Sequence, residues 1–323
     1  MLKTKMTTVL GIQYPIQMGT MQWLTRAEMV AAAAEAGIFG CIPSASFQSP
    51  QDLRQEIRKA KSLTKKPIGV NINLFPMARP FKIEDMIDAA LAEGIKIIET
   101  SGRSPAPHVD RIKKGGAVLL HKCARVRDAV SAERAGVDLV SIVGTECGGH
   151  PSMEDVTTMI LGPMAVDAVK IPVLVGGGIA DGRGLMAALA FGAEGVVIGT
   201  RFLVTKECPV HDNVKKALAE AKETDTAIIQ RSIQNPVRVY RNKLAQQVLD
   251  MEAKGGVTLE QLMPLIGGER GKKALEAGDV DGGVVHAGQV LGLIGDIPTV
   301  KQVVDRIVEE AKVIYTRLGR IVV

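Results

Sequence analysis

"PVLVGGGIADGRGLMAALAFGAEGVVIGTRF", Pro172 to Phe202, decides the fold. Its two apolar runs, PVLVG and GVVIG, each end in glycine and enclose one segment of helix formers. The runs are continuously hydrophobic rather than alternating, which marks strands buried on both faces, as in a parallel sheet covered by helices. The same unit recurs upstream. Apolar runs stand at 14–18 (YPIQM), 38–42 (IFGCI), 67–72 (PIGVNI), 96–100 (KIIET), 117–121 (AVLLH) and 137–142 (VDLVSI). Between them lie segments such as RAEMVAAAAEAG and IEDMIDAALAEG, helical in spacing and closed by glycine. Eight β/α units predict a (β/α)₈ TIM barrel. A doubly wound sheet carries its glycine fingerprint after the first strand, whereas these glycines follow the last two.

From Lys206 the alternation stops. PVHDNVKKALAEAKETDTAIIQ, RVYRNKLAQQVLDMEAKG and TLEQLMPLIGGERGKKALEAG all read as helical. The expected organisation is a barrel over 1–205 and a C-terminal, mainly helical appendage over 206–297 at the barrel mouth. A last helix at about 298–318 is expected to return to the barrel.

A chain of 323 residues accommodates one barrel of roughly 200 to 250 residues plus such an appendage. With 46% hydrophobic and 23% charged residues it reads as an ordinary globular protein. Aromatic residues make up 3%, and the 40 basic and 35 acidic residues form no like-charge block, so no nucleic-acid partner is expected. The net charge of +5 suits anionic small molecules. Four scattered cysteines without a C-x-x-C pair read as reduced thiols, not a disulfide framework or a metal site. The start MLKTKMTTVLGIQYP lacks an apolar leader and no run reaches the roughly 18 residues of a membrane span, so a cytoplasmic protein without membrane attachment is expected. Barrels with such appendages often dimerise, which makes a homodimer the assembly to test.

Chemistry in a (β/α)₈ barrel sits in the loops after the strands, with phosphate commonly held after strands seven and eight. Gly176, Gly177 and Gly178 follow strand seven; Gly199 and Thr200 follow strand eight. Three consecutive glycines cost backbone entropy that a plain turn need not spend, which favours a phosphate cradle over two tight turns. His150, in GTECGGHP after strand six, carries the side chain best matched to proton transfer near neutral pH. Lys122 after strand five offers a cation that can stabilise negative charge. Asn71 at the end of strand three and Gln22 after strand one offer amide donors and acceptors. Arg231, Arg238 and Arg241 in the tail read as a solvated helix face in preference to dinucleotide contacts. Together the loops describe a site for a large planar phosphorylated ligand. Flavin mononucleotide (FMN) meets that description, and a sugar phosphate in a non-flavin barrel meets it too.

With those residues assembled, the chain resembles the nitronate monooxygenase family of FMN-dependent barrels, formerly called 2-nitropropane dioxygenases, over nearly its whole length. The matching elements are YPIQMGTMQW, PIGVNINL, HKCARVRDAVSAERAGVDLVSI, ECGGHP, GGGIADGRGLMAALAFGAEGVVIGTRFL and ECPVH. HKC together with ECGGHP is most similar to the bacterial NADH:quinone reductase branch. Flavin-type enoyl-acyl-carrier-protein reductases share GGH, GGIADG and GTRF, with a different stretch expected at HKC. The resemblance implies that Met21, Gln22, Asn71 and Lys122 line the isoalloxazine ring, and that Gly149, Gly177, Gly178, Gly199 and Thr200 bind the ribityl phosphate. It implies that His150 is the catalytic histidine, the base on a nitroalkane in the monooxygenases. It also implies NADH or NADPH as a transient hydride donor and a quinone or a nitronate as second substrate. Thr20 departs from the pattern, since relatives usually carry a second glycine there.

Overall fold

The computed structural model describes residues 2–75 and 81–321. Eight parallel strands close into one barrel in sequence order: β1 (Ile16–Met18), β2 (Phe39–Pro43), β3 (Gly69–Asn73), β4 (Ile97–Ser101), β5 (Val118–Cys123), β6 (Leu139–Val143), β7 (Val173–Gly176) and β8 (Gly195–Ile198). β8 pairs with β1 through Ile16 opposite Val196, which completes the ring. All eight expected strands are present, each within two residues of its apolar run, because a strand buried on both faces leaves an uninterrupted hydrophobic signature.

Side chains alternate across each strand, so one parity faces the helices and the other faces the barrel axis. Ile98, Leu119, Val140, Val173 and Val196 belong to the main core under the helices. Ile97, Leu120, Leu139, Leu174 and Val197 form a separate inner cluster with Phe39 and Cys41. The helix Lys5–Leu10 closes the bottom of that inner cluster with Met6 and Leu10. Gly195 makes room for it, since a Cβ there would collide with the Met6 sulfur. Two residues further along the inward parity come Asn71 on β3, Glu99 on β4 and Lys122 on β5. The axis is therefore apolar below and polar at the strand C-terminal ends.

The helix Val300–Leu318 packs against the helices Gly182–Ala190 and Ala27–Glu35, so it stands where the helix after β8 belongs. Its buried stripe, Val300, Val303, Val304, Ile307, Val308 and Ala311, has helical spacing. Gly182 permits the close approach, because a Cβ there would lie 2.6 Å from Ala311 N.

Between the barrel and this helix, the segment from Lys206 contains helices at Asp212–Glu220, Lys243–Ala253, Leu259–Ile266 and Gly268–Ala277. It also contains an antiparallel hairpin, β9 (Thr226–Ile229) and β10 (Val237–Tyr240), where the sequence reads as helix. Four-residue runs are too short to tell alternation from a helical pattern. The turn between them lacks glycine and is built on Gln230 (φ +67°) and Gln234 (φ +57°), so the usual hairpin signal is missing. The hairpin and helices enclose their own small core of Ile229, Val237, Val239, Leu244, Val248 and Leu262. Among the described residues the four cysteines are free, and no helix is long and apolar enough to cross a membrane.

Candidate active site

The mouth of the barrel opens into a cavity of about 1260 Å³ between the strand-end loops and the residues 284–290. Met21, Gln22, Asn71, Lys122, Gly149, His150, Gly177, Gly178, Gly199 and Thr200 all line it. Residues far apart in sequence are thus brought to one space by the common direction of the strands.

One wall is bare backbone. Gly177 (φ +101°) and Gly178 (φ +70°) turn the chain sharply after β7 in a left-handed conformation that favours glycine. A Cβ on Gly177 would stand 2.6 Å from Thr158 Oγ1, so protein packing requires glycine there. Gly199 differs: its φ of −100° suits any residue, and apart from its chain neighbours no atom of a described residue lies within 4 Å of a Cβ built on it. Nor does any lie within 4 Å at Gly149. The N–H groups of Gly178, Gly199 and Thr200 have no backbone acceptor among the described residues. Unpaired amides beside open space form a concavity for an anion, and the phosphate of FMN fits it. Thr200 is fixed from the far side, its Oγ1 accepting from Gly288 N–H at 3.0 Å.

The facing wall is polar. Lys122 projects from the inward face of β5 and makes no hydrogen bond or ion pair with a described residue, leaving its charge for a ligand. Gln22 Nε2 donates to Ala45 O at 3.1 Å. Asn71 Nδ2 donates to Glu99 Oε2 at 2.6 Å. Thr20, which also lines the cavity, donates its hydroxyl to the same Glu99 oxygen at 2.7 Å.

His150 extends from the loop after β6 and stacks on His286, ring centroids 6.3 Å apart. Its ring is accessible from the cavity, yet protein surrounds the cavity. Desolvation first, then His286 and the Lys122 charge, push its pKa down to about 4. Desolvation by the protein around the cavity likewise lowers His286.

Glu99, Glu146 and His286 escaped the sequence reading. Glu99 carried a signal, since its parity on β4 places it inside the barrel. Glu146 accepts from Thr158 N–H at 3.0 Å and so ties the loop of His150 to the next helix, a contact that depends on the fold. His286 lies in the appendage, whose position over the mouth has no local signature. Arg238 is corrected: it sits buried on β10, Nε donating to Thr145 O at 2.8 Å and Nη1 to Thr226 Oγ1 at 3.0 Å, and not on a solvated helix face. Arg231 pairs with Asp155, and Arg241 with Gln246.

The profile of the nitronate monooxygenase family matches residues 3–310. The chain belongs to this family. A probable nitronate monooxygenase of Staphylococcus haemolyticus is 30% identical, covering 97% of this chain and 98% of the relative. A (3aS,4S,5R,7aS)-5-hydroxy-7a-methyl-1-oxo-octahydro-1H-indene-4-carboxyl-CoA dehydrogenase of Rhodococcus jostii is 32% identical over 96% of both chains. Among solved structures, FabK of Thermotoga maritima superposes with a TM-score of 0.91 at 33% identity over the full length of both chains. A nitroalkane oxidase of Streptomyces ansochromogenes gives 0.80 at 25% identity, covering 97% of this chain and 99% of its own. The nitronate monooxygenase family is thus an oxidoreductase setting for the cavity, and its likeness spans barrel and appendage together.

Proposed function

We propose that the chain is an FMN-dependent oxidoreductase in which NADH or NADPH delivers hydride and a quinone-type acceptor takes the electrons. The observation that carries it is the bare backbone at Gly178 and Gly199 lining one cavity with the unpaired Lys122. FMN, when bound, supplies the redox chemistry, and the protein supplies binding, orientation and charge. Gly149, Gly177, Gly178, Gly199 and Thr200 would hold the phosphate. Met21, Gln22, Asn71 and Lys122 would line the ring, with the ammonium of Lys122 placed to stabilise negative charge there.

The likeness of HKC and ECGGHP to the NADH:quinone reductase branch supports a quinone as acceptor. His150 lines the same cavity and is the side chain that would exchange a proton with that acceptor. The cavity exceeds the roughly 300 to 1,000 Å³ of ordinary ligand pockets, room for a cofactor and a second ring together. A second reading is an acyl thioester as the other substrate, supported by the full-length likeness to a CoA-ester dehydrogenase.

An anaerobic visible spectrum of the purified protein tests these readings. A flavin band that bleaches with NADH or NADPH and returns with benzoquinone is the expected result. Return with crotonyl-CoA and not with quinone would replace the acceptor by a thioester. A band indifferent to both nicotinamides, with turnover on a nitronate and O₂, would move the assignment to nitronate oxidation. Protein that neither carries nor takes up flavin would overturn the FMN reading and leave the sugar-phosphate barrel. His150→Asn should slow turnover with FMN retained, and unchanged rates with every acceptor would remove His150 from the mechanism.

A further inference from the structure

Beneath the cavity, Glu99 is 1% exposed and accepts hydrogen bonds on both oxygens. Gln17 Nε2 donates to Oε1 at 2.6 Å; Thr20 Oγ1 and Asn71 Nδ2 donate to Oε2 at 2.7 Å and 2.6 Å. Among the described residues no cation pairs with it, so three neutral donors do all the holding. The arrangement has a visible cost: turning the amide of Gln17 to donate leaves its Oε1 buried without a partner.

The consequence lies at Asn71. Its Nδ2 points at Glu99, because a carbonyl oxygen at that distance from a carboxylate oxygen would be repelled. The same nitrogen reaches Ser101 Oγ at 3.3 Å, so both amide hydrogens are directed into protein. Asn71 Oδ1 has no partner among the described residues and is not among the fully buried unpaired atoms, and Asn71 lines the cavity. We infer that Glu99 is a positioning residue that fixes the polarity of Asn71, so that the site presents a hydrogen-bond acceptor, and no donor, to an N–H group on the edge of the bound ring. The inference rests on the FMN reading above. It selects ligands with a ring N–H at that edge, as isoalloxazine has, over ligands with an acceptor there.

An exchange of polarity tests it, with FMN affinity read from quenching of flavin fluorescence on titration into apoprotein. Asn71→Asp places a second carboxylate against Glu99 and should weaken FMN binding roughly tenfold to a hundredfold. Adding Glu99→Gln restores a donor–acceptor pair between the two side chains and keeps an oxygen towards the cavity, so N71D/E99Q should recover to within about threefold of wild type. A double variant as weak as N71D would overturn the assignment of Glu99 while wild-type binding leaves the FMN reading standing. Wild-type protein that leaves flavin fluorescence unquenched would overturn both.

Discussion

Gly149 and Arg238 exchange both backbone hydrogen bonds, Gly149 N–H to Arg238 O at 3.0 Å and Arg238 N–H to Gly149 O at 2.7 Å. The loop that carries His150 is thereby stitched to strand β10 of the appendage, and Val239 on the same strand bridges to His286. The two stacked histidines are held by one small ladder that crosses from barrel to appendage. A mutation in the hairpin should therefore be felt at the barrel mouth.

Arg238→Ala removes a buried guanidinium and leaves Thr145 O without its donor. A loss of roughly 1 to 3 kcal/mol is expected from such an unpaired buried group. Denaturant unfolding measures that loss. Slower turnover with FMN still bound should accompany it, and unchanged kinetics would show that the Arg238 guanidinium does not set the His150 loop.

Two neighbouring glycine sites should separate structure from ligand. Gly199→Val puts its Cβ more than 4 Å from any described residue beyond its chain neighbours, on an ordinary backbone, so thermal stability should stay close to wild type while FMN affinity falls at least about tenfold. Gly177→Ala meets Thr158 Oγ1 in a left-handed backbone and should cost roughly 1 to 3 kcal/mol whether or not ligand is present. Melting curves and flavin titrations on the same two variants check the split. Equal FMN affinity in Gly199→Val would remove the phosphate from that wall.

Lys122→Met keeps the length of the side chain and removes its charge. If that charge stabilises the reduced cofactor, the midpoint potential should become more negative and turnover should fall by roughly ten- to a hundredfold, with FMN still bound. Spectroelectrochemistry gives the potential directly. An unmoved potential would assign Lys122 to packing.

Acid should destabilise the apoprotein through a buried neutral histidine. His121, bonded to Thr100 Oγ1 at 2.8 Å, has a folded pKa pushed from 6.5 down to about 4, chiefly by desolvation. The unfolded chain then binds more protons than the native one between those values. Stability is accordingly full above about pH 6.5 and declines as pH falls towards 4. Melting temperatures across that window should fall steadily, and His121→Asn should flatten the slope. A flat profile in wild type would mean that water or a counter-charge reaches the ring.

The barrel was legible in the sequence because its strands are buried on both faces, and continuous apolar runs such as VDLVSI survive as a local signal. The glycine ends and the lysine of HKC were legible for a related reason: strand direction alone puts strand ends at one mouth. The hairpin was not, since TAII and VRVY are too short to tell alternation from a helical pattern, and their turn uses two left-handed glutamines. Local sequence thus determined the strands, the order in which they close, and which loops meet. Only the tertiary structure decided which way Asn71 turns, that Gly199 faces open space where Gly177 faces Thr158, and that His286 stands beside His150. Those outcomes depend on atoms contributed by distant segments at distances of a few ångströms, and hydrogen bonding and desolvation act at that range whatever the separation along the chain.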